Sequence, residues 1–285
     1  MGRLKLVFAF SSLLILAAVF IGVAYFWEHV VKPDLQIERE LKKDIDVKER
    51  PAPDLGIREF EQIVDLLKKG ETMTARERLY YLMEYYPDSS LLPEARRIVG
   101  EINSDLLISK IPLEGKTEYT VKRGDALASI ARRHKTTIDY IMRANGRTSS
   151  VIHPNDRLTV YPLEFEVVLD KSDKMIRLEL KGLFFKEYPV VRIVLPPMVK
   201  PPVKAEVKDR VAWFGEKRVL FNNKNYLKSN KWIQTTHRGL IIRAFHGSGS
   251  EEEGKQDDLG ILVAPEDLEE MFTLIRVSTP IRFVE

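Results

Sequence analysis

The sequence predicts a multidomain α+β protein, and three observations carry that reading. Apolar residues recur at helical spacing over 57–110, a strand, two short helices and a strand follow over 117–162, and apolar residues alternate along strands through 163–285. An uncharged apolar run (within 1–29) and a charged linker (30–56) precede these segments.

At 285 residues and 44% hydrophobic content, the chain can hold two or three small domains. Lys plus Arg number 45 against 42 for Asp plus Glu, a net charge of +3 that gives no reason to expect nucleic acid as a partner. There is no cysteine. That excludes disulfides, thiolate metal sites and a thiol nucleophile, and it suits an oxidising compartment. No cofactor motif is present, and His237 and His246 lack a third ligand at metal-binding spacing.

The 22 residues from Leu6 to Trp27 carry no charge, enough to cross a bilayer. Arg3 and Lys5 precede them, Glu28 follows, and Tyr25, Phe26 and Trp27 lie where an aromatic belt would. The expectation is an uncleaved signal anchor in the inner membrane with the bulk of the chain outside the cytoplasm. A cleaved signal peptide is the alternative, against which stands the lack of a small-x-small pattern before Glu28. The linker, with Pro33, Pro51 and Pro53, reads as a tether.

From Ile57, Phe60, Ile63, Val64, Leu66 and Leu67 form one helical face, closed by Gly70. Thr72 or Thr74 can cap a second helix lined by Ala75, Leu79, Leu82 and Tyr86. Pro93 opens a third with Ala95, Ile98, Ile102 and Leu106. The spacing of Ala75 and Pro87 resembles one and a half tetratricopeptide repeats, which would make this a short TPR-like hairpin. Part of the cluster Tyr80, Tyr81, Tyr85 and Tyr86 must lie off the core stripe, available to the next domain, to an envelope protein partner or to solvent.

In the next segment Arg123-Gly124-Asp125 forms a turn after Tyr119, with Asp125 a possible cap for a helix carrying Leu127, Ile130 and Ala131. Thr137 can cap a second helix bearing Ile138, Ile141 and Met142, and Asn145-Gly146 ends it. The Y-T-V-x-x-G-D-x-L start, the Asn after the second helix and the I-x-P-x-x-x-L end resemble the LysM module. The resemblance implies a βααβ fold that binds N-acetylglucosamine-containing glycan strands of peptidoglycan or chitin in a groove between two loops. Carried over, those loops are Gly124, Asp125, Ala126 and Leu127 on one side and Ile152, His153 and Pro154 on the other. Amides beside Gly124 would meet acetamido groups, and Leu127 and Ile152 their methyls. Ala126 replaces a usual hydroxyl residue, and Asn155 replaces a turn glycine but tolerates the left-handed conformation.

Beyond Phe165, the phrase VVLDKSDKMIRLELKGLFFKEYPV is similar to the opening of an L,D-transpeptidase (YkuD-like) domain, and LIIRAFHG and the segment after Gly260 to its close. The resemblance implies a mostly-β domain in which a Cys attacks a peptidoglycan stem peptide, helped by His and Arg. Here the run is Asp258-Leu259-Gly260-Ile261, the Arg position holds Leu262 or Val263, and only His246 remains. Ile cannot ionise or attack a carbonyl, so no enzyme is expected by this route. Ile261 is expected near His246. Residues 165–250 hold seventeen Lys or Arg against eight Asp or Glu, an excess open to anionic partners or to solvent. The expected function is non-catalytic peptidoglycan binding, with the C-terminal domain a pseudo-transpeptidase kept for binding. The alternatives are an enzyme with a relocated nucleophile, Ser248 or Ser250, and a protein scaffold that binds through its helical segment.

Overall fold

The computed structural model describes residues 53–246 and 259–285, with Glu28 and Lys32. The expected anchor at 6–27 and nearly all of the tether lie outside the described residues, and among the described residues no helix is long and apolar enough to cross a membrane. Residues 55–285 make one compact unit.

Three helices open it: α1 (Leu55–Lys68), α2 (Thr72–Tyr85) and α3 (Leu92–Ile108). Gly70 at φ +79° ends α1 as expected. The amides of Gly70 and Glu71 reach back to the carbonyls of Leu67 and Leu66, the crossed pair that closes a helix when the residue after the cap is left-handed. Ile63, Ala75, Leu79, Leu82, Ala95, Val99, Ile102 and Leu106 pack between the helices. Neither Thr72 nor Thr74 caps α2, which begins at Thr72 with no side-chain cap.

Helix α3 has a second buried face of Gly100, Asn103, Ser104 and Leu107. A Cβ on Gly100 would lie 2.9 Å from Lys186 Cγ, so glycine there permits close approach to the β-domain. Asn103 Nδ2 donates to the Phe185 carbonyl at 2.7 Å and to Tyr80 Oη at 2.9 Å, and Tyr80 Oη donates to the Phe184 carbonyl at 2.7 Å. The expected tetratricopeptide-like unit is thus revised: the third helix is covered by a strand of the β-domain instead of stacking on a further repeat. Of the tyrosine cluster, Tyr80 joins this seam while Tyr81 and Tyr85 remain exposed, their rings 4.5 Å apart.

The next module is β1 (Thr117–Thr120), α4 (Leu127–Arg133), α5 (Ile138–Ala144) and β2 (Arg157–Val160), in the expected order. The strands pair antiparallel with Tyr119 opposite Leu158. Thr137 caps α5 as expected, accepting from the Tyr140 amide at 2.9 Å. Helix α4 is different. Its first residue follows Ala126, and Ser129 Oγ accepts from the Ala126 amide while Asp125 is turned to the preceding turn. Asn145 holds α5 to β2, its amide bridging the carbonyls of Ile141 and Thr159 and its oxygen accepting from the Thr159 amide.

The remaining strands are β3 (Phe165–Asp170), β4 (Met175–Leu180), β5 (Leu183–Val194), β6 (Val203–Phe214), β7 (Lys217–Val219), β8 (Asn230–Thr235), β9 (Ile241–Ala244), β10 (Gly260–Val263) and β11 (Pro280–Val284), with helix α6 (Pro265–Leu274) before the last. Their order is β11-β3-β4-β5-β10-β9-β8-β6-β7, and β11 also pairs with β6, which closes the sheet on itself. Two twelve-residue strands make closure possible. The first half of β5 pairs with β4 and the second with β10, while β6 pairs first with β11 and then with β8. Lys181 and Gly182, both at positive φ, form the two-residue turn between β4 and β5.

Val167, Leu169, Ile176, Leu178, Ile281 and Phe283 are buried as the alternation predicts. In β9, where alternation would put Ile241 and Phe245 inside, Ile242 is buried instead and Ile241 and Phe245 are only partly covered. The run Leu-Ile-Ile has no polar residue to set its phase.

Asn103→Ala would leave the Phe185 carbonyl buried without its donor. An increase of about 2 kcal/mol in the ease of unfolding, read from urea midpoints, is expected; an unchanged midpoint would contradict the docking of α3.

Candidate functional site

The two loops that the sequence singles out lie side by side. The Val121 amide donates to the Asp156 carbonyl and the Asn155 amide to the Val121 carbonyl, both at 2.8 Å. In the first loop the Asp125 amide closes a turn onto the Lys122 carbonyl, and Gly124 sits at φ +86°, the sign that a type II turn demands at its third position. No atom lies within 4 Å of a Cβ built there, so glycine serves conformation rather than space.

Asp125 is the centre of this loop. Its carboxylate accepts from Tyr119 Oη at 2.7 Å, the Lys122 amide at 2.9 Å and Arg133 at 3.4 Å. These bonds hold its carboxyl below the ordinary value, Tyr119 first among the causes. Asp156 does the same in the second loop. It accepts from the His153 amide at 3.1 Å and Arg147 at 3.2 Å, and is lowered chiefly by the His153 bond. Arg147 also donates to the Val151 carbonyl. Asn155 takes the left-handed conformation at φ +74°, as its replacement of glycine requires.

Gly124, Ala126, His153 and Pro154 are exposed on these loops, Asp125 is half-buried and Ile152 packs partly against the module core. Leu127 does not line a groove. It is 2% exposed and belongs to the core of Val121, Ile130, Ala131, Ile141, Leu158 and Val160. As the first residue of α4 it points inward with Ile130 and Ala131. The exposed apolar side chain on these loops is Val151, 59% accessible, beside the sequence-predicted Ile152.

The positions that the transpeptidase resemblance singled out are in the β-domain. Ile261 is 1% exposed in β10, between Ile193 of β5 and Ile242 of β9. Val263, at one of the two candidate Arg positions, is also buried. His246 is exposed four residues beyond Ile242, and the preceding Phe245 amide is bonded to the Val263 carbonyl. Ile261 pairs with Ile242 inside the sheet while His246 lies two residues past the end of β9, so the register sets the two at different levels where proximity was expected. Gly260 takes φ +134°, and a Cβ there would lie 2.8 Å from the Ile241 carbonyl oxygen. Asp258, Ser248, Ser250 and the glutamates at 251–253 lie outside the described residues.

The register also aligns Trp232, Arg243, Leu262 and Arg192 across β8, β9, β10 and β5. Residues directly opposite share a face of a sheet. The Arg243 guanidinium lies 5.2 Å from the Trp232 ring, Arg192 5.4 Å from Phe245, and Trp213 6.0 Å from Trp232. The cationic excess of residues 165–250 is only in part a surface property. Lys186 bonds Glu101 and Glu270, Lys231 bonds Glu269, and Arg210 bonds Asp139, with acids supplied by α3, α6 and α5.

Residues 119–160 match the LysM domain family. A stretch of 65 residues is 37% identical to the N-acetylmuramoyl-L-alanine amidase sle1 of Staphylococcus epidermidis, covering 22% of this chain and 20% of that protein. The chain therefore spans about a fifth of the length of the curated relative it matches. Among solved structures, an L,D-transpeptidase from Mycobacterium smegmatis aligns at TM-score 0.31 and 12% identity, over 46% of this chain and 64% of that one. An L,D-transpeptidase from Stackebrandtia nassauensis aligns at TM-score 0.31 and 8% identity, over 65% of this chain and 66% of that one.

Leu127→Asp is expected to unfold the LysM module, because it places a charge in a closed core; retained near-native circular dichroism would show that Leu127 lines a surface after all. Acid should loosen the same loops. Asp125 and Asp156 are both held below 3.8, so their contribution is complete above about pH 4 and is lost as pH falls through the lower folded values. Urea midpoints of the parent and Asp125→Asn should converge below that range and diverge above it; a constant gap would deny Asp125 its role.

Proposed function

We propose that this is a non-catalytic cell-wall protein of the bacterial envelope. Its LysM module binds N-acetylglucosamine-containing glycan of peptidoglycan through the loops at Gly124–Ala126 and Val151–Pro154. Its C-terminal domain is an L,D-transpeptidase-like pseudoenzyme retained for binding, and residues 6–27 anchor it in the inner membrane. The observation that carries the reading is the LysM match over 119–160, joined to a pair of loops whose exposed surface offers turn backbone and small apolar groups. Such a surface suits acetamido sugars, which present an amide and a methyl together.

The absence of catalysis is supported by residue chemistry. Ile261 has no ionisable group, is enclosed by hydrophobic neighbours, and pairs with Ile242 within the sheet, whereas His246 lies past the end of β9. Nucleophile and base must meet within hydrogen-bond reach for acyl transfer. The Trp232, Arg243 and Arg192 face supports a binding role for the β-domain, since stacked guanidinium and indole groups suit anionic or planar ligands.

The fragment 53–285 is expected to co-sediment with purified peptidoglycan. Val151→Asp together with Ala126→Asp should weaken binding about tenfold, or 1.4 kcal/mol, with unchanged circular dichroism. Absence of sedimentation by the parent fragment would defeat the glycan reading. Turnover of muropeptides by the full chain would defeat the non-catalytic one.

A further inference from the structure

We infer that the rim formed by the end of β6, the β7 hairpin and the following loop is a docking surface for an anionic lipid bilayer. The short helical turn at Tyr226–Lys228 completes it. Leu227 is 76% exposed, Leu220 59% and Phe214 43%. They lie at one end of the sheet: Phe214 pairs with Lys217 across the hairpin, and Trp213 beside it pairs with Asn230, three residues after Leu227. Two consecutive turns, Asn223 amide to Leu220 carbonyl and Tyr226 amide to Asn223 carbonyl, fold the chain that links Leu220 to Leu227. Phe221, Tyr226 and one side of Leu220 border an open pocket of about 140 Å³ with Ile138 and Phe272.

The charge of the rim selects the occupant. Lys217, Lys224 and Lys228 are exposed and in no ion pair among the described residues, whereas Arg218 is neutralised by Asp209. From Phe214 to Lys228 the sequence has one acid, Glu216. Protein interfaces are depleted in lysine around their apolar anchors. Leucine and phenylalanine flanked by lysine match a bilayer interface, where apolar side chains enter the acyl boundary and ammonium groups meet phosphate. Peptidoglycan offers anionic groups but no apolar phase for three exposed hydrophobic side chains.

This surface goes beyond glycan binding and rests on the proposed anchor only for proximity to a membrane. The fragment 53–285, which contains the whole compact unit and lacks residues 6–27, separates the two. The chain has no cysteine, so Leu227→Cys accepts a single environment-sensitive fluorophore. The labelled fragment should show a blue shift with vesicles of phosphatidylglycerol and phosphatidylcholine and none with phosphatidylcholine alone. Unlabelled fragment should co-sediment with the mixed vesicles. Leu220→Glu with Leu227→Glu should cut the bound fraction roughly tenfold at unchanged circular dichroism. Three results would overturn the inference: no binding to the mixed vesicles at low salt; binding retained by the double variant, which would mean electrostatic adsorption only; or loss of peptidoglycan binding in the double variant with no vesicle binding by the parent, which would assign the rim to the wall.

Discussion

Helix α5 has seven residues and belongs to two cores at once, and the architecture of the compact unit depends on that sharing. Ile141 faces the small core of the LysM module, while Tyr140 and Ala144 enter the large core of the β-domain. The buried Tyr140 hydroxyl donates to the Leu107 carbonyl at 2.9 Å, so one side chain ties the module to α3 and to the β-domain together. Around it, Thr137 Oγ1 donates to the Thr273 carbonyl at 2.5 Å, and Asp139 accepts from Arg210 and Tyr226, both at 2.8 Å. Paired buried hydroxyl and carboxylate groups give direction to a junction that apolar packing alone would leave loosely specified. A module with its own core of a few side chains is thereby held in one orientation.

The same arrangement distributes function. With α5 occupied by the junction, the two loops at 123–126 and 151–155 are the part of the module proposed to meet the glycan, and they are stiffened internally. Asp125 and Asp156 each collect several donors, so the loop backbone is set before any sugar arrives. A preorganised site loses less entropy on binding. The second junction, at α3, works through charge. The Lys186 ammonium, largely enclosed, is met by Glu101 of α3 and Glu270 of α6, and Ser104 donates to the same Glu270 carboxylate at 2.5 Å. Burial works to lower the Lys186 value and the two carboxylates more than offset it, leaving it raised.

Much of this was legible in the residues. The helix stripes, the βααβ order, the Thr137 cap, the left-handed Asn155 and the paired apolar positions of β3, β4 and β11 follow from periodicity and turn chemistry. What escaped has identifiable causes. Tyr140 lies between Asp139 and Ile141, on a helix whose obvious stripe is Ile138, Ile141 and Met142, and nothing local signals a second buried face. Leu127 follows a loop that resembles a ligand site, but as the first residue of α4 its spacing to Ile130 and Ala131 makes it core. The cationic residues of the β-domain look unneutralised when counted along 165–250, because their partners Glu101, Asp139, Glu269 and Glu270 come from distant segments. Lys186 and Lys231 are therefore structural ions, and the exposed positive charge is concentrated elsewhere.

We propose that the loops around Gly124 and His153 bind glycan while the β-domain holds them in place. Amide NMR of the fragment 53–285, titrated with an oligomer of N-acetylglucosamine, tests it most directly. Shifts concentrated at 123–127 and 151–155, with the resonances of α5 and the β-domain nearly unmoved, are the predicted result. No saturable shifts, or shifts centred on the Trp232 and Arg243 face with the loops silent, would contradict the account.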